Sequence, residues 1–451
     1  MACGPGGSVR ETLRDGPRCS LLLAQNANHN TLPFDIWVIT LGSILAPILL
    51  AFASSPQFSD DRMATRHFSR HGRYARLAGL PVLILLVCLL SGCFSGGLGT
   101  VADPLPPSPI PVMGWSTWYG FQTRISDALI RQQAEAMAAN GMRQAGYEYV
   151  NIDDGWQGYR DSQGFLHPNS SFPDMKALGD YLHSLGFKFG IYTSIGRKTC
   201  DGLVGSYGHE AQDAQTFLDW GVDFVKYDLC FMDTDRAPAL IAKMSKALRT
   251  NEKHPVVLSI VVLSEPWRWA PRLAVNMWRI ATDETGTYTD MLRIADTDAP
   301  LASFAGKAGW NDPDMLLIGD GGTTLDEDRA QMTLWAMLAA PLISSTDLLQ
   351  LSSAQLEILT SPEAIAVNQD PEIQQATRVK QGVVDVWLKK LAGGWAIAII
   401  NRKEESATYV VDPNELGIKA SQAYEVWTKQ TITLPSSLTI AAHGCVLLKT
   451  L

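Results

Sequence analysis

Residues 221–228 read Gly221-Val222-Asp223-Phe224-Val225-Lys226-Tyr227-Asp228: a glycine break, a short apolar strand, and a carboxylate at the strand's C-terminal end. Side chains alternate along a strand, so Lys226 and Asp228 project from the same face. An ammonium beside a carboxylate favours the charged form and is expected to keep Asp228 ionised at neutral pH. An oriented, ionised carboxylate is what covalent catalysis asks of a nucleophile. Taken alone, the pair reads more readily as a strand-end ion pair of small energetic weight.

Around this strand the chain repeats one pattern. Helical stretches at 210–220 and 237–248 flank it, and from Pro111 onward short apolar strands alternate with amphipathic helices. Strands are predicted at 112–115, 149–153, 187–192, 224–227, 256–262 and 276–280, with weaker ones at 308–310 and 341–344. Further helices are predicted at 127–140, 175–185, 326–340 and 354–360. Eight β/α units over about 260 residues match a (β/α)8 TIM barrel. An open doubly wound sheet fits the same periodicity, although no glycine-rich phosphate loop follows the first strand. After Asn368-Gln369-Asp370-Pro371 helical runs become scarce. Strand-like segments at 383–388, 395–401, 407–411, 423–427, 430–434 and 445–448 predict a small antiparallel β-domain. The division expected is residues 1–100, 101–372 for the barrel and 373–451 for the β-domain.

The full chain of 451 residues carries a net charge of −9, so it lacks the basic field that nucleic acid needs. Thirteen tryptophans suit stacking on sugar faces, although most are expected in the core. Of seven cysteines, Cys3, Cys19, Cys88 and Cys93 precede residue 100, leaving too few for a disulfide scaffold.

The first hundred residues read as targeting sequence. An apolar run at 36–53 is interrupted by Gly42 and Pro47. A second run, 77–90, follows Arg66, Arg70, Arg73 and Arg76 and ends in Leu90-Ser91-Gly92-Cys93. A basic stretch, a short apolar run and small residues describe a secretory signal. The ending resembles a bacterial lipobox, with Cys93 as the lipidated first residue and Met63 as the start of the signal. Residues 1–62 are then upstream of the true start or an extra membrane segment, and a two-helix anchor is the rival reading. The expectation is an exported protein of the bacterial cell envelope, tethered to membrane.

Barrel chemistry sits at the C-terminal ends of the strands. The acids expected there are Asp153, Asp154, Asp228, Asp283, Asp312 and Asp314, among the aromatics Trp115, Trp118, Trp156, Tyr192 and Trp310. No cluster of His or Cys accompanies them, which disfavours metal or Ser-His-Asp chemistry. Carboxylates with aromatic walls suit a sugar, and paired acids suit cleavage of its glycosidic bond. Judged alone, Asp283 also reads as a helix N-cap.

Five motifs then occur in order: Met113-Gly114-Trp115-Ser116-Thr117-Trp118, Tyr147 to Trp156, Lys226-Tyr227-Asp228, Trp278-Arg279 with Asp283, and Gly309-Trp310-Asn311-Asp312-Pro313-Asp314-Met315-Leu316. Together they resemble glycoside hydrolase family 27, the α-galactosidases (melibiases) and α-N-acetylgalactosaminidases. The resemblance runs from about residue 110 through Pro371 and into the β-domain. It implies that Asp228 is the nucleophile and Asp283 the acid/base of a retaining double displacement, with the two carboxyls roughly 5–5.5 Å apart. It further implies that Lys226 and Arg279 bind ring hydroxyls and hold the nucleophile charged. Asp153 and Asp154 would take the 4- and 6-hydroxyls, and Trp118, Tyr192 and Met315 would shape the walls. A Cys200–Cys230 disulfide and no metal or organic cofactor follow from the same resemblance. The implied substrate is a galactosylated oligosaccharide or glycoconjugate.

One segment departs from the family. After the fifth strand the family carries Cys-Glu-Trp or a near variant, whereas this chain reads Ser259-Ile260-Val261-Val262-Leu263-Ser264-Glu265. Val261 and Val275 occupy the places of a second family disulfide. Val262 and Leu263 offer no hydrogen bond to a 2-hydroxyl, so α-N-acetylgalactosaminide and β-L-arabinopyranoside join galactoside as candidate substrates. A tethered sugar-binding lipoprotein without turnover is the rival of a different class.

Overall fold

The computed structural model describes residues 110–251 and 254–451. The signal, Met63 and Cys93 readings lie outside the described residues. Among the described residues no helix is long and apolar enough to cross a membrane.

Eight parallel strands form one curled sheet. Its first half is β1 (Met113–Ser116), β2 (Tyr149–Ile152), β3 (Lys188–Ser194) and β4 (Phe224–Asp228). The second is β5 (Val257–Val261), β6 (Met277–Arg279), β7 (Trp310–Asp312) and β8 (Leu342–Ser344). Neighbours in sequence are neighbours in the sheet, and β8 returns to pair with β1, Gly114 lying opposite Ile343. The seam beside β7 is closed by Leu316, whose N–H donates to Ile343 O (2.8 Å) and whose carbonyl accepts from Ser345 N (3.0 Å). The sheet is therefore the (β/α)8 barrel, not the open doubly wound alternative.

Helices α1 (Asp127–Ala139), α2 (Met175–Ser184), α3 (Glu210–Asp219) and α4 (Ala237–Leu248) cover the first half. They are followed by α5 (Tyr288–Asp298), α6 (Leu325–Met337), α7 (Ser353–Leu359) and α8 (Pro362–Asn368). Two stretches where the sequence reading placed no helix have local causes. After β5 the chain makes two 3-10 turns, Pro266–Arg268 and Ala270–Leu273, and Pro271 lacks the N–H that one helix through both would need. After β6 the sequence reading placed no helix, because aspartates and threonines dilute its apolar stripe; α5 nonetheless forms, capped by Thr287 accepting from Asp290 N.

The barrel leads into an antiparallel sheet of β9 (Thr377–Lys380), β10 (Val384–Leu391), β11 (Gly394–Asn401), β13 (Gln422–Glu425), β14 (Gln430–Thr433) and β16 (Cys445–Thr450). It faces the pair β12 (Ala407–Val411) and β15 (Ser436–Ile440). The alternation on β10 and β11 divides their side chains between two cores. Val384, Val386, Ile397 and Ile399 pack inside the β-domain, while Trp387, Leu391, Ala396, Ala398 and Ile400 join the barrel core. Lys389, on the barrel-facing side, donates to Ala336 O at 2.9 Å.

Candidate active site

Alternation also builds the barrel interior. On β4, Val225 and Tyr227 join the outer core with the helices, whereas Phe224 belongs to a separate cluster with Tyr149, Val257, Met277, Trp310 and Ile343. That cluster is an apolar plug on the barrel axis. Two residues further along the same strands stand Asn151, Lys226, Ser259, Arg279 and Asp312, and all five line one cavity. Two residues beyond again, Asp153 and Asp228 reach the strand ends. Period two thus stacks a polar layer on an apolar floor, and the floor's low polarity strengthens every charge interaction above it.

The ion pair within this layer differs from the sequence expectation. Lys226 and Asp228 do share a face, but Lys226 Nζ donates to Asp153 Oδ2 at 2.7 Å, across β3. Asp228 Oδ1 instead accepts from Leu229 N at 2.7 Å. Burial dominates the Asp228 carboxyl and raises its pKa above the ordinary aspartate value, against the lowering fields of Lys226 and Arg279; Asp153 adds to the rise. The expected net lowering is therefore corrected. The ammonium offsets part of the desolvation cost without reversing it, because its closest partner is another carboxylate. Asp154 turns toward the β3 loop, accepting from Gly155 N (2.9 Å) and Asp201 N (3.1 Å). Its carboxyl is pushed up to about 6, mainly by burial.

Across the mouth, Arg279 is the junction. Its Nη1 pairs with Asp283 Oδ1 at 2.7 Å and its Nη2 with Asp314 Oδ1 at 2.9 Å. The Arg279 side chain is only 4% exposed while that of Asp283 is 71% exposed, which puts Asp283 at the rim where a departing group would meet solvent. Asp314, a strand-end acid to which the sequence assigned no role, organises this side. It also accepts from Tyr119 OH (2.7 Å), Glu284 N (3.0 Å) and Met315 N (2.9 Å). Its φ of 86° is left-handed, a conformation that costs a non-glycine residue about 1–3 kcal/mol and persists where contacts over-determine it. Tyr119 and Glu284 were missed by sequence reasoning; their only signal was adjacency to Trp118 and Asp283.

Three comparisons bear on this arrangement. The family model described as Alpha galactosidase A matches residues 110–370, and that described as Alpha galactosidase C-terminal beta sandwich domain matches residues 381–450. The chain belongs to the α-galactosidase family, glycoside hydrolase family 27. Alpha-galactosidase A of Cellvibrio japonicus is 37% identical over 371 residues, covering 75% of this chain and 91% of that protein. Among solved structures, α-galactosidase I of Mortierella vinacea superposes with a TM-score of 0.71 at 29% identity, covering 78% of this chain and 98% of its own. The Saccharomyces cerevisiae α-galactosidase with raffinose gives 0.69 at 26% identity, covering 78% and 100%.

Within this glycoside hydrolase the remaining assigned residues fall as follows. Cys200 and Cys230 are bonded, with Cα atoms 5.1 Å apart, tying the loop after β3 to the loop after β4. Gly196 permits the tie, since a Cβ there would stand 1.9 Å from the Cys230 carbonyl oxygen. Tyr192 is buried with its ring 5.2 Å from Lys226 Nζ, and Met315 lines the cavity. Trp118 is half-buried against the apolar plug beside Tyr119. In the rewritten fifth-strand loop Val262 is buried, Leu263 is 50% exposed, and Glu265 pairs with Arg268 at 3.2 Å in the open. The carboxylate of Glu265 thus has a partner of its own outside the cavity lining.

Proposed function

We propose that the protein removes terminal α-D-galactosyl residues from oligosaccharides or glycoconjugates by a retaining double displacement. The observation that carries this is Arg279, whose positive field acts on Asp228 and whose guanidinium pairs with Asp283 and Asp314. Family membership fixes the reaction class; Arg279 pairs with one of the two carboxyls that the reaction needs, and its field acts on the other. In the first step an Asp228 oxygen attacks the anomeric carbon while Asp283 gives its proton to the glycosidic oxygen. The alcohol leaves and a glycosyl ester remains on Asp228. In the second step Asp283 takes a proton from water, the resulting hydroxide displaces the ester, and Asp228 is regenerated. Two inversions at one carbon retain its configuration. Asp153, held by Lys226, and Asp154 accept hydrogen bonds from the sugar hydroxyls, and Trp118, Tyr192 and Met315 bound the ring.

A second reading concerns the group at C2. The apolar Val262 and Leu263 suit an acetamido methyl, which favours testing α-N-acetylgalactosaminide, and β-L-arabinopyranoside belongs beside it. Assay of p-nitrophenyl α-galactoside, α-N-acetylgalactosaminide and β-L-arabinopyranoside in parallel decides the substrate. The expected order places the galactoside first. A higher kcat/KM on either of the others would reassign the specificity, and sugar binding without turnover of any would favour the carbohydrate-binding reading.

Asp228 must be ionised to attack, so kcat/KM should fall on the acid side through a pKa above the ordinary aspartate value. Lys226→Met removes a field that lowers this pKa and leaves Asp153 unpaired beside it. Both changes favour protonated Asp228, so the acid limb should move to higher pH. A pH–rate profile checks this, and an unmoved or lowered limb would contradict it.

We also propose that the chain is exported and tethered through lipid on Cys93, on the strength of Leu90-Ser91-Gly92-Cys93 after a basic apolar segment. Intact mass of the native protein tests this; a mature chain retaining residues 1–92 would refute it.

A further inference from the structure

Glu284 follows Asp283 directly and contrasts with it in every physical respect. Asp283 stands 71% exposed, while Glu284 is only 4% exposed. Both Glu284 carboxyl oxygens accept from Gln331 Nε2, at 2.8 and 2.9 Å, and the Gln331 carbonyl is in turn fixed by Leu317 N at 3.0 Å. Gln331 is itself buried on α6, so the anchor belongs to the barrel frame. The Glu284 N–H donates to Asp314 Oδ2 at 3.0 Å. Residue 284 is thus fastened by backbone and side chain to two separate elements. The Asp283 carboxylate accepts from Arg279 Nη1, and Arg279 is held by the same Asp314.

We infer that Glu284, through its tie to Gln331, positions the Asp283 carboxyl for proton transfer; the inference rests on the catalytic roles proposed above. A buried carboxyl is an expensive anchor, because an apolar side chain of similar size would avoid desolvation altogether. Burial, reinforced by Asp314 and Asp290 and opposed by Arg279 and Arg293, raises the pKa of Glu284 well above that of an ordinary glutamate. Retaining such a group one residue from the acid/base is explained by the geometry it imposes. Displacing a reacting group by about 1 Å costs roughly 10²-fold in rate.

The test compares wild type, Glu284→Gln and Glu284→Ala on p-nitrophenyl α-galactoside and on an α-1,6-linked galactosyl disaccharide, with far-UV circular dichroism and Tm on each. Protonation assistance matters for the sugar leaving group and little for nitrophenolate. Glu284→Ala should lower kcat on the disaccharide by roughly 10²-fold, with a much smaller loss on the aryl galactoside and little change in KM. Glu284→Gln, which keeps the shape and a carbonyl acceptor for Gln331, should restore most of the disaccharide rate. Equal losses on both substrates, or none on either, would overturn the positioning role. Should Glu284→Ala fail to fold, Gln331→Met removes the same donor and is read by the same criteria. Wild type that cleaves neither substrate would instead refute the proposed function.

Discussion

Asp228→Asn should lower kcat by roughly 10⁴-fold or more on every substrate the wild type cleaves, with folding intact. An amide is a far weaker nucleophile than a carboxylate, and no neighbouring group stands in for it. Other acids of the bowl have partners of their own: Asp153 has Lys226, Asp154 the β3 loop, Asp312 the Asp314 N–H, and Asp314 has Arg279 and Tyr119. The substitution also removes a buried charge whose desolvation raises its pKa, so Tm should hold or rise. Sugar affinity, measured by calorimetry with galactose, should survive, because the pocket contacts at Asp153, Lys226 and Arg279 are untouched. A variant retaining the wild-type rate would place the nucleophile elsewhere. Trapping the glycosyl ester on Asp228 with a slow fluorosugar and mapping the labelled peptide checks the assignment independently.

Asp283→Asn should separate substrates by leaving group. For a disaccharide the departing oxygen needs a proton, and loss of a general acid costs about 10²–10⁴-fold. For p-nitrophenyl α-galactoside the first step needs little protonation, so the loss there should be smaller and dominated by the second step, in which Asp283 activates water. A burst of nitrophenol followed by slow turnover is the expected signature, since the glycosyl ester then accumulates. The rim position and 71% exposure of Asp283 keep the fold intact in this variant: the side chain buries little, and Arg279 keeps its separate pair with Asp314. Equal losses on both substrate types, without a burst, would count against the acid/base role.

Much of the fold was legible because its signal is local. Strand 256–262 was read from a run of β-branched and apolar residues, and Val257–Val261 forms there; strand 224–227 likewise became Phe224–Asp228. Helix 237–248 forms with the bounds expected. The hairpin Gln157–Arg160 with Leu166–Pro168 was not anticipated. Its strands are short and polar, and they are held by long-range contacts, such as Arg160 to Asp213 at 2.6 Å, that have no local signature. β9 and β15 were missed for the same reason: their exposed, alternating residues resemble loop composition.

The site divides along the same line. Which residues stand at strand ends follows from the sequence, since period two and strand order place Lys226, Arg279, Asp153 and Asp228 in one bowl once the barrel closes. Which charge meets which does not follow. Lys226 is two residues from Asp228 yet donates to Asp153, seventy-three residues away. Asp314 takes its place only because Tyr119 and Arg279, from opposite sides of the seam, converge on one carboxylate. By itself the sequence determined the alternation of strands and helices and which acids stand at strand ends, because those depend on spacing and residue type. The reaction class and the catalytic candidates came from ordered motifs that resemble a known family, and closure of the barrel over an open sheet waited on the pairing of β8 with β1. Only the tertiary structure decided the partners, the burial that raises the Asp228 pKa, and the fastening of the loop that carries Asp283. Those depend on distances between strands and on the water that packing removes, and neither is written in local order along the chain.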